Sequence, residues 1–274
     1  TLGCAKNEAD TARMRVRLAE AGFLIEDDPA EADAVVVNTC SFIQSATEES
    51  IEAVFDAAGM PNVAAGAPLI VAGCMPARYG EDLADELVEA RAFVPCSRED
   101  DIAAIVADAL GVDAPGGGAA ASVTLSASGG AAEVEGSRAA LAALPAAPFA
   151  YVKISDGCDR FCTYCTIPYI RGRYRSSARR RARRRRRQVA RAREIVLIAQ
   201  DTGRWGADFD EPSSLAALVA ALAEEFPQTW FPHHVHPRPK AFPTSCWMPW
   251  PRTTTYATTS TSRCSTWTRA SCAP

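Results

Sequence analysis

The chain has 274 residues, 48% of them hydrophobic, with a net charge of −4 and ten cysteines. That length allows two domains, and no apolar run reaches the roughly 20 residues of a membrane span. No secretory leader is visible either, so the expectation is a cytoplasmic protein without a membrane partner. The small net charge gives no general pull toward nucleic acid, although half of the arginines crowd between Arg171 and Arg193. In a reducing compartment, clustered cysteines are more often metal ligands than disulfide partners.

Thr1 does not read as a natural start, and Leu2-Gly3-Cys4 reads as the end of a strand. Residues 7–21 carry Ala12, Met14, Val16, Leu18 and Ala19 at helical spacing. Residues 33–38 form a short β-branched run, a buried strand, and Thr39-Cys40-Ser41 follows as a loop. Residues 48–58 read as a helix ended by Gly59. Residues 68–72 repeat the strand pattern, with Gly73-Cys74 at the end. A helix over 77–90, with Leu83, Leu87 and Val88 toward a core, a short strand over 93–95 and a helix over 100–110 complete the series. Strands alternating with helices imply a mostly parallel open sheet, so residues 1–110 are expected to be an α/β domain.

In such a sheet the carboxyl ends of the strands share one edge, where ligands bind. Cys4, Cys40 and Cys74 each lie just past an expected strand end, so three cysteines distant in sequence are expected to meet as a three-thiolate site. The alternative is three unrelated buried cysteines, which are common in cores.

Residues 111–148 are rich in Ala, Gly, Ser and Pro and read as a linker. Residues 149–154 alternate like a strand and lead into a loop whose Cys158, Cys162 and Cys165 are spaced C-x3-C-x2-C. Three thiolates are one short of a closed zinc site. They are the right number to hold a four-iron, four-sulfur cluster by three irons and leave the fourth open. Tyr164, between the last two cysteines, is an aromatic that can lie against a flat ring. The bland alternative is a loop of buried or zinc-binding cysteines. Residues 194–199 form another apolar strand, and 213–226 an amphipathic helix capped by Ser213 or Ser214. Over residues 149–231 this order is the start of a β/α barrel, whose active site lies at the strand carboxyl ends.

Leu2-Gly3-Cys4-Ala5-Lys6-Asn7, Val37-Asn38-Thr39-Cys40-Ser41-Phe42-Ile43 and Val71-Ala72-Gly73-Cys74-Met75-Pro76 resemble the N-terminal domain of the radical S-adenosylmethionine methylthiotransferases. Tyr151 to Cys158, the loop through Ile167-Pro168, and Ile170-Arg171-Gly172 resemble their radical domain. The details Thr39-Cys40-Ser41-Phe42-Ile43, Arg78-Tyr79-Gly80 and Ile198-Ala199-Gln200-Asp201-Thr202 are similar to the RimO branch, which acts on a ribosomal protein. They fit the MiaB branch, which acts on transfer RNA, less well. The resemblance implies two [4Fe-4S] clusters, one on Cys158, Cys162 and Cys165 and one on Cys4, Cys40 and Cys74. It implies S-adenosyl-L-methionine on the first cluster with Tyr164 near its adenine, and sulfur carried at the second. The implied target is the β-carbon of an aspartate in a small-subunit ribosomal protein, and the implied electron donor a flavodoxin or ferredoxin. It assigns no general acid or base. A reading of another class is an iron–sulfur or zinc binding module without catalysis.

Two stretches depart from that pattern. Residues 177–193 are Arg-rich where a barrel helix is expected, and residues 232–274 have no strand or helix period. Both read as sequence out of frame. The expectation is therefore an inactive chain with a disordered C-terminus, in which Cys246, Cys264, Cys272, His233, His234 and His236 bind nothing. A basic nucleic-acid arm is the alternative for the Arg run.

Overall fold

The computed structural model describes residues 1–112, 122–125, 149–178 and 192–232. The first unit runs α1 (Ala5–Glu20), β1 (Leu24–Glu26), β2 (Ala34–Thr39), α2 (Gln44–Ala58), α3 (Pro61–Ala64), β3 (Leu69–Gly73), α4 (Cys74–Tyr79), α5 (Asp82–Glu86), β4 (Ala92–Pro95), α6 (Ile102–Leu110) and β5 (Ser122–Leu125). Its five strands lie in the order β1-β5-β2-β3-β4, every pair parallel. The α/β class with a parallel sheet is as the alternating pattern requires. Strands β2 and β3 are buried along their whole length, which is why they read as unbroken apolar runs. One face of the sheet packs Val36, Ile70 and Val94 against Met14, Leu18, Ile102 and Val106 of α1 and α6. The other packs Val35, Val37 and Val71 against Val54, Met75, Leu83 and Leu87. Each such fully buried side chain contributes roughly 1.5–3 kcal/mol.

The second unit runs β6 (Phe149–Lys153), β7 (Ser155–Asp156), α7 (Ile167–Ile170), β8 (Arg175–Ser176), β9 (Glu194–Ile198) and α8 (Leu215–Glu225). Strands β6 and β9 pair in parallel, with Phe149 opposite Glu194. Their core joins Val152, Ile154, Ile195 and Leu197 to Trp205, Leu218, Leu222 and Phe231. Ser214 caps α8 by accepting from the Ala217 N–H at 3.2 Å.

Helix α1 serves both units. Met14 and Leu18 face the first sheet, while Ala5 and Ala9 pack on Tyr151, Val196 and Ile198 of the second. Small residues on that second side let the β6–β9 pair approach the helix closely.

Several details differ from the expected pattern. The helix expected over 77–90 is two short ones, α4 and α5, because Gly80 ends the first. Leu2-Gly3-Cys4 is not a strand; Leu2 makes one backbone bond, donating its N–H to the Asn38 carbonyl at 2.9 Å. Strand β5 falls inside the expected linker and sits between β1 and β2. Its Ser-Val-Thr-Leu alternation is too short to register as a period in Ala- and Gly-rich surroundings. The far edge of β9 gains a further pairing: the Trp230 carbonyl accepts from the Ile195 N–H at 2.8 Å and its N–H donates to the Arg193 carbonyl at 2.8 Å. The rest of the expected linker, the Arg run over 179–191 and residues 233–274 lie outside the described residues, and with them the readings made of those stretches.

Candidate functional site

The register of the first sheet places three cysteines side by side. Thr39 of β2 pairs with Gly73 of β3, and Gly73 pairs with Pro95 of β4. The next residue on each strand is Cys40, Cys74 and Cys96, and all three are buried. Cys4 stands at the N-cap of α1, exposed. The bond from Leu2 to Asn38 brings this segment against the end of β2. Gly3 has φ 89°, and a Cβ there would lie 2.7 Å from the Cys40 Sγ, so only glycine allows the two segments to touch. Ser50 fixes the Cys40 loop from α2, accepting from its N–H at 3.0 Å and donating to its carbonyl at 2.8 Å.

The Cys74 Sγ stands between the other two in the register and donates to the Asn7 Oδ1 at 3.5 Å. Cys74 is held well below the usual thiol range, first by a hydrogen bond from Cys40, then by one from Cys96, with Arg171 adding and burial opposing. Cys40 and Cys96 are pushed up, first by donating to Cys74 and then by burial. The Cys74 and Cys96 sulfurs are 4.0 Å apart.

The C-x3-C-x2-C loop begins directly after β7. Cys158 is buried and donates its N–H to the Gly172 carbonyl at 3.1 Å, while Cys162 and Cys165 are half-buried. The Cys165 N–H donates to the Cys162 carbonyl at 2.9 Å, a turn that brings these two residues together. Gly157, at φ 71°, runs against the returning chain: a Cβ would lie 2.6 Å from the Gly172 carbonyl oxygen. Phe161 holds φ 45°, a left-handed conformation unfavourable for an aromatic residue, just before Cys162. Tyr164 is 83% exposed and projects toward solvent rather than into a packed wall.

The loop then returns to the first unit. Ile170 of α7 packs on Cys74 and Cys96. Arg171, its side chain 2% exposed, donates to Asp10 at 2.7 Å and to Asn7 at 2.5 Å, and lies 3.6 Å from the Cys74 Sγ. Lys153 binds Asp10 and also Asp156, the latter at 2.8 Å. Burial alone would raise the Asp10 carboxyl, but Lys153 and Arg171 overcome it and hold Asp10 well below the usual carboxylate range. Glu99, buried near this network, is pushed up to about 8, first by burial and then by the Asp10 charge.

Iron–sulfur clusters bind soft, deprotonated sulfur. Buried sulfurs side by side at one sheet edge, with the Arg171 guanidinium 3.6 Å from the Cys74 Sγ, fit that donor chemistry. Among the described residues, no group of three or more His, Cys, Asp or Glu side chains is spaced to hold a single metal ion. A groove lined by Glu31, Asn62, Pro68 and Leu110 lies at the amino edge of the sheet and includes none of these cysteines.

The sequence reading missed Cys96, which carries the same signal as Cys74, a cysteine one residue past a strand end. It also assigned nothing to Asn7, Asp10, Lys153 and Arg171, whose partnership spans up to 164 residues of chain and leaves no local pattern.

The profile of Uncharacterized protein family UPF0004 matches residues 1–95. The chain is 38% identical over 227 residues to the ribosomal protein uS12 methylthiotransferase RimO of Trichlorobacter lovleyi, covering 81% of this chain and 48% of that protein. It is 38% identical over 233 residues to the protein of that name from Desulfosudis oleivorans, covering 84% and 51%. With the one from Kineococcus radiotolerans it shares 33% identity over 244 residues, 81% of this chain and 50% of the relative. The chain spans about half the length of the curated relatives it matches. Over about four fifths of its length the chain is similar to RimO-type methylthiotransferases, and its first 95 residues match the UPF0004 family.

Proposed function

We propose that this chain carries the cluster-binding part of a methylthiotransferase acting on ribosomal protein uS12, with an aspartate β-carbon as the target. The observation that carries this reading is the contact between the two thiol regions: Arg171, from the segment following the C-x3-C-x2-C loop, lies 3.6 Å from the Cys74 Sγ. A reaction that removes hydrogen at one centre and delivers sulfur from another needs the two held in fixed relation.

On this reading Cys158, Cys162 and Cys165 hold one four-iron cluster, and Cys4, Cys40 and Cys74 hold a second. The clusters with S-adenosylmethionine supply reductive cleavage of the cofactor and hydrogen removal from an unactivated carbon. The protein's share is positioning. Arg171 and Lys153 clamp the loop to α1 through Asp10, in a site closed to water. Ser50 and Gly3 fix the Cys40 loop against the α1 start. The exposed Tyr164 is available to stack on an adenine that approaches the loop from outside. Electrons come from a flavodoxin- or ferredoxin-like donor. Among the described residues no helix is long and apolar enough to cross a membrane.

Anaerobic reconstitution of the chain with iron and sulfide tests the reading. About eight irons per chain are expected, as two four-iron clusters, together with deoxyadenosine release from S-adenosylmethionine under a one-electron reductant. A single bound zinc and no cofactor cleavage would overturn it.

A further inference from the structure

We propose that Cys74 and Cys96 are a thiol oxidation site, closing a reversible disulfide in the cluster-free chain that withdraws Cys74 from the sulfur ligands. The competition with a cluster rests on the function proposed above; the disulfide itself does not.

The argument is one of register. Cys74 and Cys96 each follow a paired residue, Gly73 and Pro95, on neighbouring parallel strands. Their backbones therefore leave the sheet side by side. Neighbouring strands stand about 4.8 Å apart, inside the roughly 4.4–6.8 Å between Cα atoms that a disulfide accepts. The sulfurs are already 4.0 Å apart. Closing that gap to a bond of about 2 Å asks for side-chain rotation rather than movement of a strand. Cys40 occupies the same register on the other side of Cys74, but it is the less suitable partner. Its backbone is held from α2 by both Ser50 hydrogen bonds, and its sulfur abuts Gly3. Cys96 opens only a short 3-10 turn, Cys96–Asp101, and packs with Cys74, Ala77 and Ile170.

A peroxide small enough to enter a buried site balances the chemistry. One sulfur, as thiolate, displaces hydroxide from hydrogen peroxide and becomes a sulfenic acid. The second thiol attacks that sulfur, the S–S bond forms, and water leaves. Two thiols are oxidised by two electrons, and one peroxide is reduced to two waters. A dithiol reductant reverses the bond by exchange. In the oxidised chain Cys74 cannot serve as a ligand, so cluster assembly at this site waits on reduction.

The test uses the full chain, purified reduced and iron-free, treated with hydrogen peroxide, alkylated and digested without reduction. Trypsin with a glutamate-specific protease separates Cys40 from Cys74 at Glu48, Glu49 and Glu52, and Cys74 from Cys96 at Arg91. The expected product joins the Cys74 and Cys96 peptides, with loss of two alkylatable thiols that dithiothreitol restores. Oxidised wild type should then take up roughly half the iron of the reduced protein, while oxidised Cys96→Ser takes up as much as its own reduced form. Cys74 joined to Cys40 or Cys4, or Cys96 still fully alkylatable after peroxide, would overturn the proposal. Reduced wild type that takes up no iron would count against the cluster reading alone, because the peptide map reads the disulfide without iron.

Discussion

Arg171 and Asp10 form a buried ion pair at 2.7 Å, with side chains 2% and 1% exposed. The pair joins the segment after the cysteine loop to the first helix of the other unit, and Lys153 completes it from β6. Removing one member of such a pair leaves a charge buried without its partner, which costs more than the intact pair contributes. Replacing Arg171 by Ala should therefore destabilise the chain by about 3 kcal/mol. Arg171→Lys should recover part of the loss, since one ammonium cannot reach Asp10, Asn7 and Cys74 together. Urea midpoints at constant slope would show this, and an unchanged midpoint for Arg171→Ala would contradict the account.

The two cysteine sets should separate in function. Cys162→Ala should abolish S-adenosylmethionine cleavage, because thiolates anchor the cluster that would bind it. Cys40→Ala should keep cleavage, with iron content lowered by roughly half. Deoxyadenosine release and iron analysis on the two variants make the comparison. Normal cleavage by Cys162→Ala would refute the assignment of that loop.

Glu99 makes stability depend on pH. Its folded carboxyl is raised to about 8 from an ordinary value of 4.5. The folded state keeps the proton while the unfolded state releases it, so this contribution is complete below 4.5 and is lost as pH rises toward about 8. Asp10 acts in the opposite sense and in another range: its depressed carboxyl contributes above the ordinary value of 3.8 and that contribution is lost in acid. Unfolding midpoints taken between pH 5 and pH 8 (about one decade of pH per step, where one linked proton changes the folding equilibrium by at most about tenfold) should fall in wild type. The decline should be shallower in Glu99→Gln, and parallel curves would remove Glu99 as the cause.

Gly157→Ala should cost about 2 kcal/mol, because φ 71° suits only glycine here and the new Cβ meets the Gly172 and Arg173 backbone. Backbone cannot yield as a side-chain tip would. Calorimetry should show a lowered Tm, and the C-x3-C-x2-C loop should lose iron more readily than in wild type. A Tm equal to that of wild type would mean the loop has room that the geometry denies.

The sequence by itself determined the strands over Ala34–Thr39, Leu69–Gly73 and Glu194–Ile198, since a strand buried on both faces must be an unbroken apolar run. It also determined the three-cysteine loop and the placing of Cys40 and Cys74 past strand ends, because these are features of adjacent residues. Tertiary structure alone decided that Cys96 completes the row beside them, through the Gly73–Pro95 register, and that β5 enters the sheet between β1 and β2. It alone brought Arg171 and Lys153 onto Asp10, pairings 161 and 143 residues apart in the chain. Local periodicity carries no record of such distance; a buried charge finds its partner only when helix α1 is packed between both sheets and water has been excluded from around it.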